Sequence, residues 1–210
     1  MLQMLPTLAR DFGDPIRIVE LGANDGYHTG ILNQFARGFG RQVQYVALEP
    51  DPRLRPVMPP GVQFVPYAIA AKDGEADFHL SSGGTPEGDR YTGSSSLRAP
   101  TDTIFRCWPH MRFEAPIRVR TVTLDTLYAQ CGMDRVDFIW CDVQGCEIDV
   151  IRGGRDALSR TSYFYTEYCD AELYTGQGFL VDLVRELEGI MHVHHDFKGD
   201  VLFRNDRLRQ

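Results

Sequence analysis

Residues 16–30 read Ile-Arg-Ile-Val-Glu-Leu-Gly-Ala-Asn-Asp-Gly-Tyr-His-Thr-Gly. The first six are a short, mostly apolar run that ends in a glycine-containing turn, the pattern of a strand buried on both faces. Beyond Thr29, the residues Ile31, Leu32, Phe35 and Phe39 recur on one helical stripe that Gly38 and Gly40 terminate. Strand, glycine turn and amphipathic helix make an α/β unit, and the chain goes on alternating. Residues 43–48 and 62–69 read as the second and third strands, with 75–80 as a short strand beside the third. Further strands are expected at 117–121, 136–141 and 162–165, the last leading into Glu167. Helices are expected at 124–128 with Thr123 as N-cap, from near 147, and over 179–187, where Phe179, Leu180, Leu183, Val184 and Leu187 form the clearest stripe. Two antiparallel strands, 190–196 and 200–205, turn at Lys198-Gly199. The sum is an α/β fold: a doubly wound, mostly parallel sheet with an antiparallel C-terminal hairpin.

Composition narrows the function. The chain has 210 residues, 43% hydrophobic and 24% charged, which suits one large α/β domain over 1–210. The region 81–116, rich in Gly, Ser and Pro in its first half, reads as a long loop or lid insertion. Net charge is −7, so the basic surface that a phosphate backbone needs is missing, and no nucleic acid is expected. Five cysteines without a C-x-x-C pair suit reduced thiols, and neither a secretory signal nor a membrane span is apparent, so the expected location is cytoplasmic. Oligomeric state is left open.

In a doubly wound sheet, ligands sit beyond the carboxyl ends of the strands, where the strand order switches. Those ends hold Glu20, Glu49, Asp142 and Glu167. The first turn reads G22-x-x-x-G26 behind a glutamate, not the G-x-G-x-x-G of a pyrophosphate site, and the glutamate would repel phosphate. A ligand with a cationic end and no phosphate fits, as S-adenosylmethionine (SAM) does. Glu49 lies where a carboxylate would accept both hydroxyls of a ribose.

The stretches VELGANDGYHTG (19–30), ALEPDP (47–52), PYAIAAKDGEADFHL (66–80), SSSL (94–97), VTLDTL (122–127), WCDVQGCEIDVIRGG (140–154) and YTEY (165–168) resemble, in order, the motifs of the FkbM-type SAM-dependent methyltransferase family. The resemblance implies a class I methyltransferase, Rossmann-like fold and transfer of a methyl group to a hydroxyl oxygen of a small molecule or sugar. It further implies Glu20, Gly22, Ala23, Asn24 and Gly26 around the methionine end of SAM, Glu49 on its ribose, Ala68 near its adenine and Asp142 facing the reacting centre. Where many members read K-I-D-V-E-G-A-E, this chain has Trp140, Gln144 and Cys146 in place of the lysine, the first glutamate and the alanine.

An alcohol must lose a proton as it is methylated, so a base is sought. Asp142 ranks first, as the acid that ends the central strand, followed by Glu167 at the neighbouring strand end and His28 just past the glycine turn. Mg2+ is admitted but not favoured, since Asp142 and Glu167 are the only two carboxylates evident for it. A zinc site from Cys107, His110 and the C-terminal histidines is discounted for want of a second ligand pair. The rival readings are an NAD(P)-dependent oxidoreductase on a Rossmann fold, disfavoured by the missing third glycine, and a non-catalytic SAM-binding module.

Overall fold

A computed structural model describes residues 1–54, 58–83 and 91–208. Strands β1 (Ile16–Leu21), β2 (Val43–Leu48) and β3 (Val62–Val65) are followed by the short β4 (Ala68–Ile69), β5 (Gly74–Phe78), β6 (Ser81–Ser82) and β7 (Arg112–Phe113). Then come β8 (Ile117–Val122), β9 (Val136–Cys141), β10 (Thr161–Glu167), β11 (His192–Asp196) and β12 (Asp200–Arg204). The helices are α1 (Leu5–Leu8), α2 (Tyr27–Arg37), α3 (Asp102–Cys107), α4 (Leu124–Cys131), α5 (Glu147–Arg152), α6 (Arg155–Ser159) and α7 (Leu180–Glu186).

The central sheet runs β11-β12-β10-β9-β1-β2-β3. β1 pairs in parallel with β2 on one side and with β9 on the other, so the strand order reverses at β1. That is the switch point where a ligand crevice opens. Alternation along β1 divides the core. Ile16 and Ile18 face a layer shared with α1 and α2, whereas Val19 and Leu21 face the layer of α4 to α7.

The expected mostly parallel sheet is observed, with one refinement. The antiparallel strand β12 lies inside the sheet between β10 and β11, and β11 forms the edge. Burial explains the order. Val201, Leu202 and Phe203 of β12 are fully buried, while His192, Val193, His194 and His195 of β11 are exposed and suit an edge.

The expected third strand over 62–69 breaks in two. Pro66 cannot donate to a ladder, the Tyr67 amide turns back to the Val65 carbonyl, and β4 leaves for a small sheet of order β4-β8-β5. β5 therefore pairs antiparallel with β8 and not beside β3. Phe39 falls outside α2, which ends at Arg37 with Gly38 as C-cap; Thr29, Leu32, Asn33 and Ala36 supply its buried face. Phe179 and Val184 are likewise exposed, and Leu183 is the residue of α7 that enters the core. Thr123 accepts from the Thr126 amide as the N-cap of α4.

Within 81–116, β6 pairs with β7 and α3 lies between them. The Arg98 guanidinium donates to the carbonyls of Thr175 and Gly176 and to Asp149, tying this region to the chain beyond β10 and to α5. Part of the segment read as a lid, 84–90, and part of the proline-rich connection before β3, 55–57, lie outside the described residues.

Candidate active site

Two loops meet at the switch point. In the β1–α2 turn, Gly22 has φ +84°, and a Cβ there would lie 1.9 Å from the Asp142 carbonyl oxygen, so only glycine lets the two loops touch. Asn24 and, in the β9–α5 loop, Gln144 are non-glycine residues with φ of 47° and 53°. Both line the cleft between the loops. Left-handed backbone at non-glycine residues costs free energy, and its concentration here marks a site.

Glu49 follows β2. Its Oε2 accepts from the Asn24 amide and its Oε1 from the Asp51 amide, each at 2.8 Å, so the carboxylate is fixed toward the cleft. Burial pushes its pKa up to about 7, those two amides oppose the shift, and Asp51 and Asp142 add to it. The cleft is walled on its apolar side by Tyr67, Ala68, Ile69, Phe78 and Leu97. A second, larger cavity adjoins it, with Asp142, Gln144 and Gly93 lining both. Trp108, Met111, Tyr174, His110 and Glu167 line this second space.

Asp142 and Glu167 stand one residue beyond the paired Cys141 and Thr166 of adjacent parallel strands, and Asp200 on β12 is the partner of Glu167. Burial raises the pKa of Asp142, opposed by the Gln144 amide. Glu167 is raised too, by dehydration first and then by Asp142, Asp200 and Glu147. Glu147, the first residue of α5, accepts from the Gly145 amide and is pushed up to about 7 by burial.

Of the residues singled out in the sequence, Gly22, Asn24, Glu49, Ala68, Asp142 and Glu167 meet along these cavities. Glu20, Ala23, Gly26 and His28 are not among the lining residues. Glu20 is enclosed beneath the turn, its Oε2 accepting from the Thr29 hydroxyl at 2.5 Å and the Tyr45 hydroxyl at 2.8 Å. Burial pushes its pKa up to about 7. It ties α2 and β2 to β1. Gly26, with φ +84°, is the N-cap of α2. The His28 ring packs tilted against Trp140, with centroids 4.6 Å apart, and burial lowers its pKa. Tyr174 and Thr92, which donates to Asn24 Oδ1, had no signal in the sequence, since neither lies in a motif.

Among the described residues no lysine or arginine pairs with Glu20, Glu49, Asp142 or Glu167. Buried acids without cations repel a phosphate and favour a ligand that brings positive charge. Fold and site together define an α/β protein with a crevice at the switch point whose buried acids suit a cationic ligand better than a phosphate. The methyltransferase FkbM domain matches residues 20–198, and the chain belongs to the FkbM methyltransferase family. It is 36% identical over 206 residues to the 2-O-methyltransferase NoeI of Sinorhizobium fredii (strain NBRC 101917 / NGR234), covering 93% of this chain and 81% of that protein. The family implies SAM as methyl donor, and the acids fit its ammonium and sulfonium. The nicotinamide reading falls with this. No helix among the described residues is long and apolar enough to cross a membrane.

The buried acids predict a pH dependence. Glu20, Glu49 and Glu147 hold protons up to about pH 7 when folded but release them near 4.5 when unfolded. Between those values the folded state binds more protons, so stability falls as pH rises through that window. A loss of at least about 1 kcal/mol, about 2–4 °C in Tm, is expected for the ligand-free protein. A melting curve series in which Tm is flat or rises across the window would refute this.

Proposed function

We infer that this chain is an O-methyltransferase that transfers the methyl group of SAM to a hydroxyl of a small molecule or sugar. The observation that carries the reading is the position of Asp142, which lines both the cleft holding Glu49 and the adjoining cavity holding Glu167 and Trp108. The 2-O-methyltransferase named above supports oxygen as the acceptor atom.

SAM supplies a methyl group activated by a neighbouring sulfonium. The chain supplies the rest. Glu49 takes the ribose hydroxyls on its remaining lone pairs, and Ala68, Ile69 and Phe78 cover the adenine. Asp142 orients the acceptor hydroxyl and takes its proton as the new C–O bond forms and the C–S bond electrons return to sulfur, leaving S-adenosylhomocysteine. Glu167 shares the second cavity and holds a neighbouring polar group of the acceptor. The test is product analysis with hydroxylated acceptors, in which one O-methyl ether should form per S-adenosylhomocysteine released. Methyl found on nitrogen or carboxylate, or no transfer by a protein that binds SAM, would overturn it.

Glu49→Ala should weaken SAM binding by roughly tenfold or more, about 1.5–3 kcal/mol, in a folded protein. Calorimetry with unchanged affinity would remove Glu49 from the ribose. Activity should survive EDTA, because the Gln144 amide donates toward Asp142 and Glu167 and occupies the space between them. Loss restored by Mg2+ would show otherwise.

A further inference from the structure

Gln144 stands between the base and a buried phenol. Its Nε2 donates to Asp142 Oδ1 at 2.6 Å and lies 3.5 Å from Glu167 Oε2, while its Oε1 is 2.9 Å from the Tyr174 hydroxyl. That hydroxyl is also 2.8 Å from the Ser94 carbonyl oxygen. A phenol carries one proton and cannot donate fully to both. Nor can Tyr174 move. It is 2% exposed, its amide donates to Gln177 Oε1, it bridges to Pro100, and its ring fills the space above Gly145, where a Cβ would come within 3.0 Å.

Two complete hydrogen-bond arrangements are available to these fixed heavy atoms. With Asp142 ionised, the amide nitrogen faces the carboxylate and the phenol donates to Oε1, which leaves Ser94 without that donor. With Asp142 protonated, its O–H donates to Oε1, the reversed amide donates to the phenol oxygen, and the phenol donates to Ser94. We propose that Gln144 is a positioning residue that reverses its amide when Asp142 receives the acceptor's proton, so that the side chain orients the base before transfer and holds the acid after it.

The proposal rests on Asp142 being the base. In the transfer, the acceptor O–H proton passes to Asp142 as the O–C bond forms and the C–S bond breaks; the amide then turns about its last torsion with no covalent change. An ionised glutamate at 144 could not donate to ionised Asp142, and a leucine could serve neither arrangement. The charged and titratable groups around Asp142 are Glu20 from β1, Glu49 after β2, Cys141 from β9, Glu147 from α5, Tyr165 and Glu167 from β10, Tyr174, and Asp200 from β12. Among the described residues, Gln144 is the side chain that hydrogen-bonds to the Asp142 carboxylate.

Counting bonds gives a sign that a fixed amide does not. The phenol takes part in one hydrogen bond with Gln144 in the ionised arrangement and in two in the protonated one, from the reversed amide and to Ser94. Removing the phenol oxygen therefore costs the protonated form one bond more than the ionised form. In the S-adenosylhomocysteine complex, Tyr174→Phe should lower the apparent pKa of Asp142, followed by 13C-carboxyl NMR, by about half to one unit. Gln144→Leu should raise it, since the carboxylate loses its donor. A pKa that is unchanged or raised in Tyr174→Phe overturns the reversal. A measurement without a variant stands beside it. Neutron diffraction of the wild-type complex at about pH 5 and about pH 8 should find the Gln144 deuterons on opposite sides, and the same side at both would overturn the proposal. Failure of the wild type to bind S-adenosylhomocysteine in calorimetry would instead overturn the functional reading.

Discussion

Asp142→Asn is expected to reduce kcat by roughly 10²–10⁴ while leaving S-adenosylhomocysteine affinity within a few-fold. The substitution keeps the shape of the side chain, and an asparagine oxygen can still accept from Gln144 Nε2, so the loop stays in place. What it loses is the capacity to take a proton. The backbone contacts that shape the cleft, the Asp142 amide to the Leu21 carbonyl and the approach of Gly22, do not involve the carboxylate. Steady-state rates together with calorimetry decide the matter. Retained turnover would pass the role of base to Glu167 on the neighbouring strand end. Lost turnover with lost binding would mean that Asp142 serves the cofactor and not the chemistry.

Gly22→Ala should be the most damaging glycine-to-alanine change among the described residues. Two costs add there. The left-handed φ of +84° penalises any Cβ, and that Cβ would lie 1.9 Å from a backbone oxygen of the other cleft loop. Backbone cannot swing aside as a side chain can, so the β1–α2 turn and the β9–α5 loop must separate. Gly40→Ala is the control, with φ +66° and no atom within 4 Å of the added carbon. It should cost about 1–2 kcal/mol, the price of the dihedral alone. Gly22→Ala should exceed that by several kcal/mol and abolish cofactor binding in whatever fraction folds. Equal losses of stability in the two variants would show that the contact between the loops carries no strain.

Periodicity and punctuation made the strands of the central sheet readable. The runs 16–21, 43–48 and 136–141 are mostly apolar because both faces are covered, and each stops at a glycine turn or a proline. The sheet order was not readable from these runs, because a buried strand carries no mark of its neighbours. Pro66 shows the limit at short range. Its missing donor splits an eight-residue apolar run into strands of two different sheets, which composition alone does not reveal. The strand-end acids were legible as a group, yet their roles were not. Glu20 and Glu49 look alike in sequence, and only the hydroxyls of Thr29 and Tyr45 on one side and the amides of Asn24 and Asp51 on the other separate a brace from a ligand-facing group. Tyr174 was invisible because it lies in an irregular stretch and acts through Gln144. His28 was singled out for its place after the turn, but the first turn of α2 carries its ring against Trp140.

The pairing of β1 with β9 also governs how the protein must assemble. The two cleft loops hang from strands far apart in the chain; the Arg17 amide meets the Asp137 carboxylate across 120 residues. Parallel pairing over such a span gives no reward until a large loop has closed, so the rate of folding is set by a rare long-range encounter and not by its local helices. Until β9 arrives, β1 presents an open apolar edge to other molecules. A nascent chain therefore spends its period of greatest aggregation risk without a cleft, and a fragment ending before residue 136 lacks the loop that forms one of its two walls.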